Sequence, residues 1–301
     1  MKSFFFTILL ITITTHAHYA QLSDLARLEY TYFPQRESDN SFQRLRALVR
    51  MPLKLNKKGA YLVPGFEYRN INFDYEDRPI PSFSVTNLDN FNSYDLTLGY
   101  TYKIKEDLRF AAKSGVLIAS NFEDRNITND DILYSGGVFL IKDKTEEGQA
   151  KKPWRLIVGL QYSTKAGRPF PLPIVNYYKK IHPKWAYGLG VPKTNIKYFP
   201  SPTNQLQAFA TLDGFFANIQ NNKTIPNRNG IGTETAASIS MTIALAGLGY
   251  EHCFTEHLIF YVYAGFTIIN DIRLRDEDQE DVFTINDKNS LYMRGGLKFK
   301  I

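Results

Sequence analysis

A single cysteine, Cys253, occurs among the 301 residues, so no disulfide can form within the chain. That excludes a small extracellular scaffold held by staples, and a lone cysteine is most often a small buried hydrophobe. Long apolar runs are also missing after the first twenty residues. The longest uncharged stretch, Thr235–Tyr250, is sixteen residues and is broken by Ser238, Ser240, Thr242 and two glycines. A helix needs about twenty apolar residues to cross a bilayer, and the mean hydropathy is −0.29, so a multi-span helical membrane protein is excluded. The sequence has no Gly-x-Ser-x-Gly elbow, phosphate-cradling loop, dinucleotide fingerprint or zinc-spaced cysteine pair. Tryptophan and methionine are scarce, at 2 and 4 residues, whereas Tyr and Phe number 19 and 22. So much aromatic mass excludes disorder and suits a strand-rich fold.

The first twenty residues read as a signal peptide. Lys2 precedes an apolar stretch from Phe4 to Ile13, and small and polar residues then lead to Ala17 and Ala20. Ten helical residues rise only about 15 Å, too short for an anchor, and either alanine suits a cleavage site. Removing 1–20 takes away Lys2 alone among charged residues, so the formal charge falls from +6 to +5. The remainder, 21–301, carries no internal linker, low-complexity tract or convincing repeat and reads as one domain.

Its dominant pattern has period two. Leu291, Met293, Gly295, Leu297, Phe299 and Ile301 alternate with Tyr292, Arg294, Gly296, Lys298 and Lys300. A strand sends successive side chains to opposite faces, so one face is apolar and the other basic. The same alternation runs through Leu45 to Leu55, Tyr94 to Ile104 and Leu258 to Ile268. Each stretch reaches ten residues or more, longer than the usual soluble strand and suited to a tilted membrane strand of about nine to eleven residues.

Strands are expected near 24–33, 42–55, 60–73, 93–104, 108–120, 132–142, 154–164, 172–181, 184–191, 195–200, 205–219, 235–250, 257–270 and 290–301. That makes fourteen; the two near 184–200 are short and flanked by Pro183, Pro192 and Pro200, which leaves twelve as an alternative. Connections alternate between compact ones, such as Lys105-Glu106-Asp107 and His182-Pro183-Lys184, and long polar ones at 74–92, 121–131, 220–234 and 271–289. Outer-membrane barrels put short turns in the periplasm and long loops outside. The fold expected is all-β: a single antiparallel transmembrane β-barrel of 12–14 strands with both ends periplasmic, exported to a bacterial outer membrane. Tyrosine pairs such as Tyr30 and Tyr32, Tyr100 and Tyr102, and Tyr261 and Tyr263 are expected in the aromatic girdles.

The segment Arg294-Gly295-Gly296-Leu297-Lys298-Phe299-Lys300-Ile301 resembles the C-terminal assembly signal of outer-membrane barrels, with Arg294, Gly296, Phe299 and Ile301 at the matching positions; bacterial barrels more often end in Phe. The resemblance implies recognition by the barrel-assembly machinery and passage with periplasmic chaperones. Through Pro171-Leu172-Pro173-Ile174-Val175 and Trp185-Ala186-Tyr187-Gly188-Leu189-Gly190-Val191-Pro192 the whole chain is similar to a family of Gram-negative outer-membrane barrels with no assigned function. No catalytic residues come with that likeness.

Chemistry-bearing clusters are few. His252, Cys253, Glu256 and His257 are metal-ligand types, but they straddle a tight turn and read as a polar turn with a packed cysteine. The acidic run Asp276-Glu277-Asp278-Gln279-Glu280-Asp281 departs from the calcium-loop spacing and reads as solvated. No cofactor is expected. A lipid-modifying barrel hydrolase would pair a serine with His182, His252 or His257; all three fall at short turns, and catalysis is not expected. A pI of 9.1 raises nucleic acid as a partner, but the chain is exported and its basic residues follow strand alternation. The functional feature is instead the basic parity of three strands that closure brings together: Arg27, Arg44, Arg46, Arg50, Lys54, Arg294, Lys298 and Lys300. A charge on the lipid face costs about 2–4 kcal/mol near mid-membrane, which assigns these residues to the lumen. The expected role is passive transport or binding of a small anionic solute, with outer-membrane lipid as the surrounding partner. The alternative is internal pairing with Glu29, Glu67 and Asp95, giving a plugged barrel that works through structure or surface interaction.

Overall fold

A computed structural model describes residues 24–36, 40–56, 59–74, 86–146, 148–164, 169–226 and 232–300. The expected signal peptide, 1–20, and Ile301 lie outside these residues. The alternating segments form strands β1 (Ala26–Pro34), β2 (Ser41–Arg50), β3 (Leu53–Lys54), β4 (Tyr61–Asp74), β5 (Asn90–Lys105), β6 (Leu108–Ser120), β7 (Ile132–Lys144), β8 (Trp154–Ser163), β9 (Phe170–His182), β10 (Trp185–Val191), β11 (Lys193–Tyr198), β12 (Asn204–Pro226), β13 (Thr233–Cys253), β14 (Leu258–Arg275), β15 (Asp281–Asn286) and β16 (Leu291–Phe299).

Each wall strand pairs antiparallel with its neighbours in sequence, and the ring closes where β1 meets β16, with Ala26 opposite Phe299 and Tyr32 opposite Met293. β3 continues β2 past Pro52, and β15 is an outgrowth paired to β14. Leaving out those two, fourteen strands make the wall, so the short segments flanking Pro192 are both wall strands. Among the described residues every wall strand is paired on both sides over at least part of its length, as a strand-built membrane protein requires.

Exposure follows the parity read from the sequence. Leu28, Val49, Leu96, Leu98, Val138, Leu140, Leu160, Val262, Leu291 and Leu297 are exposed on the outer face. Their strand neighbours Glu29, Leu48, Tyr261 and Lys298 are buried. In a closed barrel the buried parity is the interior. This is a transmembrane β-barrel of the outer-membrane kind.

The two ends differ. At the turn end, Leu25 N–H donates to Phe299 O (2.8 Å), tying the first and last strands together, and Lys300 N–H donates to His257 O (2.9 Å), tying the last strand to the turn before β14. At the loop end, β12 and β13 leave the wall pattern. Residues 214–217 of β12 and 236–241 of β13 are buried without alternation, which requires cover on both faces. Leu212 N–H makes a bond to Pro192 O (2.9 Å), and beyond it β12 turns inward. There Phe215 lies 6.1–6.3 Å from the rings of Phe42, Phe73 and Phe91, and Asn218 makes a parallel bridge to Ser120 of β6. With Phe33, Ile71, Leu88, Ile219, Ile225, Ile239, Met241, Ile272 and Leu274 these rings form the hydrophobic core. The core therefore sits as a cap under the long loops. The stretch expected as loop at 220–234 is partly this inward hairpin: β12 runs on to Pro226 and β13 begins at Thr233.

Candidate functional site: the inner wall

The inner side chains below the cap are mostly charged, and strand parity puts them there. Glu29 of β1 faces Arg46 of β2 and Gly296 of β16 in register. Its side chain is fully buried, and four guanidinium groups surround it: Arg27 at 3.3 Å, Arg294 at 3.6 Å, Arg46 at 3.7 Å and Arg44 at 3.9 Å. Arg46 also holds Glu67 through two bonds of 3.0 and 2.8 Å, and Arg69 holds the same carboxylate at 2.5 Å. Arg27 pairs with Asp24 through its Nε at 2.8 Å. Arg44 reaches across the lumen to β12, with its two terminal nitrogens donating to Asp213 at 3.1 and 2.7 Å. Such forked pairs are the strong ones.

A second group lies toward β11–β14. Lys298 pairs with Glu251 at 2.7 Å, and Gln207 and the Tyr263 hydroxyl donate to the same carboxylate. The Tyr261 hydroxyl donates to Glu29 at 2.6 Å. Lys193 places its ammonium 5.1 Å from the ring centres of both Phe209 and Tyr263, and Arg294 lies 5.1 Å from Tyr263 on its own account. Tyr261 and Tyr263 are therefore not girdle residues. They sit on the inner parity, because their hydroxyls have carboxylate partners there and none in lipid. Tyr30, Tyr100 and Tyr102 are exposed on the outer face as girdle residues would be.

Arg27, Arg44, Arg46, Arg294 and Lys298 thus come together on the inner wall, and Arg50 joins them half-buried beside Glu67 and Arg46. Lys54 does not: β3 follows the break at Met51-Pro52 and its lysine is exposed. Lys300 is half-buried at the turn end, where its carbonyl accepts a 3.0 Å bond from His257 Nδ1. Of the terminal signal residues, Arg294 faces inward, Phe299 faces out beside the His257 ring at 5.7 Å, and Ile301 lies outside the described residues. At Gly296 a β-carbon would run into the Leu28 carbonyl, so glycine permits the tight seam with β1.

Sequence reading missed Asp213, Glu251, Lys193, Lys197 and Arg69 as inner-wall groups. The parity of β11 and β12 carried the signal, since Lys193, Asn195 and Lys197 alternate with exposed Ile196. Within the connected network, nine cations (Arg27, Arg44, Arg46, Arg50, Arg69, Lys193, Lys197, Arg294, Lys298) stand with five carboxylates (Asp24, Glu29, Glu67, Asp213, Glu251). Basic side chains outnumber carboxylates in this network.

His252 and His257 bond to different partners, Asn204 and the Lys300 carbonyl. Among the described residues no group of three or more His, Cys, Asp and Glu side chains is arranged to hold a metal ion.

Comparison with known proteins places a family along almost the whole chain: residues 13–300 match the family described as Domain of unknown function (DUF6268). No curated protein matches the chain. Among solved structures, similar barrels include an outer membrane channel from Pseudomonas putida F1 (11% identity, 95% of this chain and 99% of that one, TM-score 0.41). A NanC porin is similar at 9% identity over 91% of this chain and 100% of that one, with a TM-score of 0.39. LpxR from Salmonella typhimurium is similar at 9% identity over 91% and 100% of the two chains, with a TM-score of 0.36.

Proposed function

This chain belongs to the DUF6268 family, a family of unknown function, and from that premise we propose that it binds a small organic anion in the lumen of an outer-membrane barrel and passes it on without chemistry. The surplus of inward cations supports this reading. Burying ions costs several kcal/mol each unless counter-charge is supplied, and the wall's own carboxylates supply only part of it. Glu29 is shared by four arginines, and Glu251 is already engaged by Lys298, Tyr263 and Gln207. A ligand carboxylate completes the set and gains the electrostatic complementarity that selects its sign.

The aromatic cluster of Phe215 with Phe42, Phe73 and Phe91 supports a binding lumen over a wide pore.

Calorimetric titration of citrate into the protein in lipid nanodiscs tests the reading. Saturable binding is expected that weakens steeply with salt and drops about tenfold in a Lys197→Gln/Arg294→Gln variant. Absence of binding, or equal binding of a polyamine cation, contradicts it.

A further inference from the structure

The aromatic cluster around Phe215 narrows the loop end, and the wall beside it shows a second route to the basic lumen. β10 and β11 have 7 and 6 residues, whereas their flanking strands β9 and β12 have 13 and 23. β10 stops at Val191 opposite Val175 of β9. β9 runs on through Phe170 to Ile174, bonded on one side only, to β8. On the other flank, β11 starts at Lys193 opposite Thr211, and above Leu212 the wall loses β12 to the inward cap. Above the β10–β11 tip, β9 and β12 share no strand neighbour among the described residues. Five residues of strand span roughly 16 Å. Pro171, near the top of that stretch, pairs with exposed Tyr162.

The edges of this gap suit an open port. Pro171 and Pro173 remove two N–H donors from the β9 edge, so the strand stands without a partner and does not recruit one. The inner lip carries Leu172 and Ile174, both half-buried. The floor carries Lys193, whose ammonium rests on the faces of Phe209 and Tyr263. Among the described residues no carboxylate lies within ion-pair distance of Lys193. Its charged neighbours are Arg294, Lys197, Lys298 and Glu251, and Glu251 is held by Lys298. Aromatic faces stabilise a desolvated cation but leave its charge uncancelled.

We propose that the gap between β9 and β12 is a side port to the bilayer, and that its ligand is an amphiphilic carboxylate with an apolar chain, its head group bound by Lys193 and Arg294. This rests on the basic-lumen reading and narrows it. A gap opening onto hydrocarbon selects molecules that partition into the membrane, and a floor where Lys193 has no carboxylate within ion-pair distance and Arg294 shares Glu29 with three other arginines selects those ending in an anion.

Dansyl-undecanoic acid in nanodiscs holding the full chain supplies the probe, with citrate as the membrane-insoluble anion measured beside it. Saturable fluorescence enhancement is expected, weakened about tenfold in Lys193→Ala, kept in Lys193→Arg, and absent for the methyl ester. Ile174→Trp, which narrows the inner lip, is expected to slow uptake at least about fivefold while leaving the equilibrium affinity within about twofold. Citrate binding with no dansyl-undecanoate binding overturns the port and leaves the basic lumen standing; failure of both ligands overturns both. Dansyl-undecanoate affinity indifferent to Lys193→Ala, or an uptake rate unchanged in Ile174→Trp, also overturns the proposal.

Discussion

Around Glu29 each side chain answers to several others, so single substitutions there expose charge and not only volume. Arg44 shows this most clearly: its side chain is almost fully buried and holds Asp213 across the lumen while approaching Glu29. Removing one partner of a buried pair leaves the other uncompensated and costs about 3–5 kcal/mol. Arg44→Ala is therefore expected to lower the unfolding free energy by that order, seen as a lower urea midpoint with gel mobility as the readout. Asp213→Asn, which keeps a hydrogen-bonding group, should cost less. Outside the membrane strands, Asp131 offers a pH-dependent contact. Burial pushes its pKa up, but this is outweighed by the Thr128 N–H and by the side chains of Asn218, Ser120 and Gln220, so the carboxyl lies below its ordinary value. A depressed carboxyl contributes stability that is complete above the unfolded-state value and is lost as pH falls through the folded one. Hydrogen exchange at 124–131 and 218–220 should stay slow at neutral pH and quicken below about pH 4, near the ordinary carboxylate value. In Asp131→Asn the exchange should be faster at neutral pH and its acid dependence reduced.

The strands were largely legible because a wall strand has one oily and one polar face, and that demand writes itself into alternate positions. All fourteen expected strands occur, including the two short ones flanking Pro192. The inward course of β12 was not legible. From Gly214 to Ala217 it is buried on both faces, and an apolar run of that length fits a wall strand, a loop anchor or a plug alike. Its partners also lie far off in sequence; Asp213 is 169 positions from Arg44. Phe215→Ala should cost about 3–5 kcal/mol through the cavity it leaves, and should loosen the cap. The β10–β11 hairpin depends on one glycine. Gly190 has φ +150°, and a β-carbon there would run into the Val175 carbonyl of β9. Gly190→Ala is expected to lower the yield of heat-resistant folded barrel more than Gly136→Ala, where an added β-carbon would have its nearest neighbour at 3.5 Å.

Viewed whole, the molecule is a barrel with opposite characters along its axis: tied termini and charge below, aromatic packing above. Mean hydropathy is negative because only alternate residues face lipid, and in the ion-paired network around Glu29 and Glu251 arginine and lysine outnumber carboxylate. The alternation that sets Arg44, Arg46 and Arg294 opposite the exposed leucines of their strands was readable in the sequence. The sharing of Glu29 among four arginines and the inward course of β12 arise only when distant strands meet. Planar-bilayer recording across a salt gradient tests the capped, cationic lumen most directly. Native protein is expected to give rare, small currents, and Phe215→Ala larger ones, with reversal potentials in both showing anion preference. Large steady currents from the native protein, or cation preference in either form, would contradict it.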